Sequence, residues 1–323
     1  MKTIVVGGTG YLGFHVVGAL LRHGHDVSVV GRSHNSNLPS DVEFYEGDAS
    51  SLPQSDWKPI LKGHEALVFA AGVDSRAQAS RPSGAYFQHH NVDAVGRMME
   101  AARQTGITSA VIHGSYNITL NRQRPELGLP DRHPYIASRA DQAIQARKAA
   151  GGSCSVAVLE IPYVFGATPG RPSQFEYMLP WFRGETSLPL MTPPGGTALV
   201  SAAAIGAASC TALTSRLEGD FPVAQANLEW TELVSRLARL AGHPNPDDVR
   251  QVPARTFQRF MRFNGFRDLE RGVDTGLDYA HYGELYTSKM FVPTCLPELG
   301  ITDDDLDSAL RETVGAPPPT YAQ

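Results

Sequence analysis

The chain has 323 residues, 42% hydrophobic and 19% charged, with 31 Gly and 23 Pro, enough for one or two globular domains with an ample core. Its 28 basic and 33 acidic residues leave a net charge of −5 and a pI near 6.1, so no overall positive field draws it to nucleic acid or an anionic membrane. Cys154, Cys210 and Cys295 stand far apart with no CxxC or Cys/His ligand spacing, which argues against a disulfide framework and against a metal site. The opening Met1-Lys2-Thr3-Ile4-Val5-Val6-Gly7 is too short an apolar run for a signal peptide, and no stretch long enough to span a membrane follows. A soluble, cytoplasmic protein is the expectation.

In chain order, Ile4 to Val6 reads as a buried strand, Tyr11 to His23 as a helix and Asp26 to Val30 as the next strand. Val42 to Tyr45, Ala66 to Ala70, Ser109 to His113 and Ser155 to Leu159 continue the strands, with helices over Asn91 to Gln104 and Pro134 to Ala149. Asp131 is placed to cap the last helix, Pro134 suits its first turn and Gly151-Gly152 stops it. Short apolar runs alternating with helical patterns predict an α/β fold, a Rossmann-type doubly wound parallel sheet, over residues 1–165. From 166 to 323 the spacing becomes Pro- and Gly-rich and predicts a smaller substrate-binding lobe, partly interleaved with the first. Helices are expected at Ala202 to Thr214, Thr231 to Ala241 and Asp303 to Thr313, with a frayed tail from Ala316.

Gly7-Gly8-Thr9-Gly10-Tyr11-Leu12-Gly13 sets three glycines at G-x-x-G-x-x-G spacing between the first strand and the first helix. Composition alone yields roughly 0.3 such triples per chain of this length, so the position carries the signal. Glycine permits the tight turn, and the helix end offers amides and positive potential to a pyrophosphate. The second strand ends Gly31-Arg32-Ser33, without the acid that would meet a ribose 2′-hydroxyl. A guanidinium there suits a 2′-phosphate, so NADP(H) is expected ahead of NAD(H).

These residues resemble the extended short-chain dehydrogenase/reductase family, of the epimerase/dehydratase type, over nearly the whole chain. Glu46-Gly47-Asp48-Ala49 is similar to the segment whose aspartate meets the adenine amino group. Phe69-Ala70-Ala71-Gly72 is similar to the end of the fourth strand, where small residues let backbone touch the cofactor. Asn91-Val92-Asp93 opens a helix ending Ala101-Ala102-Arg103, as in the family, and Pro162-Tyr163-Val164-Phe165-Gly166 resembles the segment beside the nicotinamide carboxamide.

The family's catalytic Tyr-x-x-x-Lys corresponds to Tyr135-Ile136-Ala137-Ser138-Arg139, whose spacing of four puts both side chains on one helical face. About one Tyr-x-x-x-basic pair arises by chance in such a chain, so position again decides. The resemblance implies that Tyr135 gives or takes the proton on a substrate oxygen while hydride moves to or from the nicotinamide. A free phenol titrates at about 10, and the charge of Arg139 favours its anion. Arginine does not release a proton, so any relay through lysine would be interrupted. The resemblance also places a hydroxyl near the end of the fifth strand, where Ser115 is the nearest and Tyr116 and Asn117 are alternatives.

The implied activity is hydride transfer to or from a carbonyl or hydroxyl carbon of a small molecule, with a homodimer expected. Two rivals stand beside it: an epimerase or dehydratase that regenerates its cofactor, and a redox sensor that binds NAD(P) with little catalysis. His89, His90, His113 and His133 lack partner carboxylates at ligand spacing and read as surface or loop residues. Arg255, Arg259 and Arg262 with Phe257, Phe260 and Phe263 read as an amphipathic surface helix. Phe175, Met178, Trp181 and Phe182 are candidates for the substrate pocket or the small lobe's core, and Tyr279, Tyr282 and Tyr286 for a buried helical stripe.

Overall fold

The computed structural model describes residues 1–302 and 305–315. Seven parallel strands form the main sheet: β1 (Lys2–Val6), β2 (Asp26–Gly31), β3 (Glu43–Glu46), β4 (Ala66–Phe69), β5 (Ser109–Ser115), β6 (Ser155–Ile161) and β7 (Gly219–Pro222). Their spatial order is β7-β6-β5-β4-β1-β2-β3, and the register pairs Val5 with Val29 on one side and with Val68 on the other. The order reverses between β1 and β4, which opens a crevice at the carboxyl ends of those strands.

Alternation along the strands divides the core in two, because successive side chains point to opposite faces. Val5, Val29, Val68 and Val111 pack under helices α1 (Tyr11–Arg22) and α5 (Ala202–Thr214). Ile4, Val6, Leu67, Phe69 and Ile112 pack on the other face, under α2 (Gln54–Leu61), α3 (Ala94–Thr105) and α4 (Pro134–Ala150). Burial on both faces is why these strands are continuous Val/Ile runs.

Beyond residue 166 the chain returns to the main sheet twice, as α5 packed on one face and as β7, its edge strand. A second, mixed sheet centres on Gly196–Ser201, which pairs antiparallel with Ala226–Glu229 and parallel with Tyr163–Phe165 and Lys289–Met290. Around it Phe165, Phe182, Leu199, Trp230, Leu285 and Met290 make a separate core.

Three expectations need correction. Asp131 lies in a short helix, Leu129–Arg132, and α4 instead starts after His133 with no side-chain cap. The orphan Tyr135 amide donates to the Gly276 carbonyl at 3.0 Å, so a distant loop takes the place of the cap. The helix predicted from Asn91 begins as a π-helical segment, Gln88–Asp93, before α3 becomes regular. His113 and His133 are buried, at 5% and 0% exposure, not on the surface, because one lies within the central strand β5 and the other under helix Tyr279–Tyr286. The last described helix is Leu306–Val314; Asp303 and the tail from Ala316 lie outside the described residues.

Candidate active site

A cavity of about 750 Å³ opens at the β1/β4 switch point, within the size range of small-molecule sites. Its floor is the glycine turn. Gly7 has φ +86°, and a Cβ there would stand 2.9 Å from the Ala70 carbonyl carbon and the Ala71 amide, so only glycine lets the turn lie against the end of β4. Thr9, Gly10, Tyr11 and Leu12 carry the wall into α1, and Ala70, Ala71 and Gly72 face them. Gly13 is buried beneath the turn and does not reach the cavity. The Tyr11 hydroxyl donates to the Gly166 carbonyl at 2.8 Å, and burial pushes that phenol up to about 12.

At the far end of the cavity stand Arg32, Ser33, Asp48 and Ala49. A Cβ on Gly31 would lie 2.6 Å from Thr9 Oγ1; the threonine side chain fills the space a carboxylate would need at the end of β2. Asp48 Oδ1 accepts from the Ser50 amide at 2.9 Å and the Ser50 hydroxyl at 2.7 Å. Burial works to raise the Asp48 carboxyl, but the Ser50 hydrogen bonds, with the charges of Arg32 and His90, outweigh it and hold the acid below the ordinary range.

Tyr135 and Arg139 enter from the first turns of α4, 7% exposed each. The Tyr135 ring meets Phe87 edge-on at 5.6 Å, and the Arg139 guanidinium carbon lies 5.6 Å from the Tyr135 ring centroid. Arg139 Nη1 donates to the His113 carbonyl at 3.3 Å and to Gln142 Oε1 at 2.9 Å, and Nη2 donates to the Val73 carbonyl at 2.8 Å. Of its five N–H groups, this leaves Nε, buried and without a partner, and one hydrogen on Nη2. The guanidinium thus stitches the loop after β4 to the end of β5, a task for a planar fork.

Ser115 and Asn117 line the cavity together, with Asn117 Nδ2 donating to Ser115 Oγ at 3.2 Å. Tyr116 is committed elsewhere: its hydroxyl meets Thr197 Oγ1 at 3.2 Å, and burial raises that phenol further. Pro162, Tyr163 and Val164 close the side opposite α4. On the α4 side Asn91, buried, bonds Val73 through both ends of its amide and donates to Ser138 Oγ at 3.0 Å. Ser138 in turn donates to the Tyr135 carbonyl at 2.7 Å. The π-helical segment is what turns Asn91 inward.

Several lining residues were not anticipated. Arg76 forms a two-point ion pair with Asp74 just past β4. Arg171 donates through Nε and Nη2 to the Thr9 carbonyl, at 3.2 and 2.9 Å, reaching from the second lobe onto the glycine turn. Neither lies in a motif: Arg76 meets an acid only two residues away, whereas Arg171 meets Thr9 across 162 residues, a separation that leaves no local pattern. Of the aromatic candidates, Phe175 reaches the cavity, stacked on Phe165 at 5.0 Å, while Phe182 is core at 1% exposure. Tyr282 lines the cavity from helix Tyr279–Tyr286.

The histidines have other tasks. His113 Nε2 bonds Ser209 Oγ at 3.0 Å, and burial, with the Arg139 charge, lowers it to about 3. His133 Nδ1 accepts from the Asp278 amide at 2.9 Å, and burial lowers it to about 4. No cluster of metal-ligating side chains occurs among the described residues.

Residues 3–184 match the NAD dependent epimerase/dehydratase family. The UDP-glucose 4-epimerase of Corynebacterium glutamicum is 27% identical over 171 residues, 51% of this chain and 48% of that protein. The 4-hydroxy-2-methyl-3-oxo-4-farnesyl-3,4-dihydroquinoline-1-oxide ketoreductase of Stigmatella aurantiaca is 27% identical over 176 residues, 52% of this chain and 51% of its own. Each match therefore spans about half of the curated relative. Among solved structures, the UDP-glucose 4-epimerase of Bifidobacterium longum in complex with NAD+ and UDP superposes with a TM-score of 0.67 at 16% identity, covering 97% of this chain and 98% of that one. With its parallel sheet, its glycine turn and a match over more than half its length, the chain belongs to the NAD dependent epimerase/dehydratase family.

Proposed function

We propose that the protein is an NADP-preferring oxidoreductase of the extended short-chain type, reducing or oxidising a carbonyl or hydroxyl carbon on a small molecule. The observation that carries this reading is convergence: the glycine turn, Tyr135 with Arg139, and Ser115 come from distant parts of the sequence and line one cavity. The dinucleotide supplies a hydride donor or acceptor when bound. The cradle left by Gly7 suits its diphosphate, and the same residues serve NADH, which makes NAD(H) the alternative cofactor.

In this reading Tyr135 holds or gives the proton at the substrate oxygen, and Ser115 Oγ, oriented by Asn117, donates a hydrogen bond to that oxygen. Arg139 keeps a fixed positive charge beside the phenol and offers its remaining Nη2 hydrogen to the nicotinamide ribose. Asp48, its Oδ1 engaged by Ser50, keeps Oδ2 for the adenine amino group. NADP preference rests on the end of β2, where Thr9 takes the space of an acid and Arg32 and Ser33 are exposed. The substrate end is walled by Phe175, Tyr177 and Tyr282, which favours a ring-bearing or otherwise apolar ketone.

A second reading, an epimerase that regenerates its cofactor, is favoured by relatives bearing that name. Calorimetric titration with NADPH and NADH tests the first step, and failure to bind either dinucleotide removes both readings. A steady absorbance change at 340 nm on adding ketones and NADPH supports the reductase. Interconversion of sugar-nucleotide epimers without net oxidation selects the epimerase. The remaining rival, a redox sensor, requires binding with no turnover of either kind.

A further inference from the structure

Helix Ala254–Glu270 departs from the amphipathic pattern its sequence suggests. Its inner side packs on helix Tyr279–Tyr286: Phe257 stacks on Tyr286 at 5.5 Å, and Gln258 Nε2 donates to Thr287 Oγ1 at 2.9 Å. The outer side carries Phe260, Phe263 and Phe266, exposed by 56%, 59% and 61%, at a spacing of three. Contiguous apolar side chains on a surface helix mark a face meant for an interaction.

Arginines run through the same face. Arg255, Arg259, Arg262 and Arg267 are exposed, and the ion pairs of the described residues include none of them. A hollow of about 340 Å³ lies alongside, with Arg262 and Phe266 on one wall and Arg81 and Arg132 among its other residues. Its acids Asp268, Asp274 and Asp278, with Glu270 exposed on the helix, offset part of this charge: four carboxylates stand against the six arginines Arg81, Arg132, Arg255, Arg259, Arg262 and Arg267. The net charge of −5 conceals this local excess of positive charge.

We propose that this face docks the protein on an anionic lipid surface, the phenylalanines entering the interface and the arginines meeting the headgroups. Charge decides the occupant. A second copy joined by a two-fold axis would set the patch against itself and bring like charges together, whereas an acidic bilayer complements rings and guanidinium groups at once. The helix rests on the element that carries Tyr282 to the cavity wall, so docking sets the substrate end of the cavity close to the membrane.

The test is co-sedimentation of the full chain with phosphatidylcholine/phosphatidylglycerol vesicles and with phosphatidylcholine alone, at low and high salt. Pelleting only with the anionic vesicles, reversed by salt, is expected. Phe260→Ser with Phe263→Ser lowers the partition coefficient by at least about tenfold, and Arg259→Gln with Arg262→Gln by about thirtyfold, with NADPH affinity unchanged in both. These side chains are exposed, and circular dichroism checks that each variant folds. The proposal is overturned if the unaltered chain stays in the supernatant, or if either pair of substitutions leaves pelleting as it was. It is equally overturned if sedimentation velocity detects self-association that the Phe pair abolishes while anionic vesicles bind nothing, which would assign the face to a second copy.

Discussion

Gly72→Ala isolates the feature that separates this site from a lysine-containing one. An added Cβ at position 72 would lie 2.5 Å from Arg139 Nη1, 3.1 Å from Asn91 Oδ1 and 3.2 Å from Arg139 Cζ. Ordinary contact needs about 3.5 Å, so the guanidinium must retreat by about 1 Å. That movement breaks the bonds to the Val73 and His113 carbonyls, now 2.8 and 3.3 Å long. Hydrogen bonds to charged groups contribute about 1.5–3 kcal/mol each, so losing both gives an expected stability loss of about 3–6 kcal/mol in urea unfolding, with weakened NADPH binding. Arg139→Lys has no planar fork to collide with the methyl, so the double variant Gly72→Ala, Arg139→Lys should recover at least about 1 kcal/mol relative to the sum of the single changes. Additivity within about 0.5 kcal/mol would refute the reasoning, because it would mean that Gly72 and Arg139 do not share the space.

Tyr135→Phe should retain NADPH affinity while turnover falls by at least about a hundredfold, the scale for losing a general acid or base; single-turnover measurement of NADPH oxidation with a ketone found by screening is the check. Arg32→Ala should weaken NADPH by about tenfold and leave NADH nearly unchanged, read by calorimetry with both cofactors. His113 and His133 have folded-state values, about 3 and about 4, below the ordinary 6.5. The unfolded chain therefore binds more protons in that window, and stability present above pH 6.5 is lost as pH falls towards those values. The slope is about 1.4 kcal/mol per pH unit for each histidine, visible as a fall in Tm between pH 6.5 and 4, and His133→Asn should flatten it.

The sheet was legible because both faces of its strands are buried, so Val5, Val29, Val68 and their neighbours leave continuous apolar runs. The glycine turn was legible because Gly7 lies where backbone meets backbone, and the spacing of Tyr135 and Arg139 because a helix repeats every four residues or so. These are local signals, and local chemistry sufficed to specify them. Other features depend on packing between distant segments. Arg171 on the Thr9 carbonyl, Arg139 on the Val73 and His113 carbonyls, and Thr9 filling the space beside Gly31 each needed the fold to bring the groups together.

The same division explains the errors. Asp131 looks like a cap, but the Tyr135 amide finds Gly276, more than a hundred residues away, and no side-chain cap is needed. His113 and His133 look like polar surface residues, yet His113 meets buried Ser209 and His133 takes the Asp278 amide, partners that sequence spacing does not reveal. Phe257, Phe260 and Phe263 read together as one side of an amphipathic surface helix, and only the placement of helix Tyr279–Tyr286 decides that Phe257 is covered while the other two are left bare. Sequence alone determined six of the seven strands of the main sheet, the glycine turn and the helix that carries Tyr135, because each follows from neighbours within a few residues. The tertiary structure decided that the Tyr116 hydroxyl is held by Thr197 while Ser115 and Asn117 line the cavity together, what Arg139 holds and which rings meet solvent, because those depend on groups that become neighbours only when the chain closes on itself.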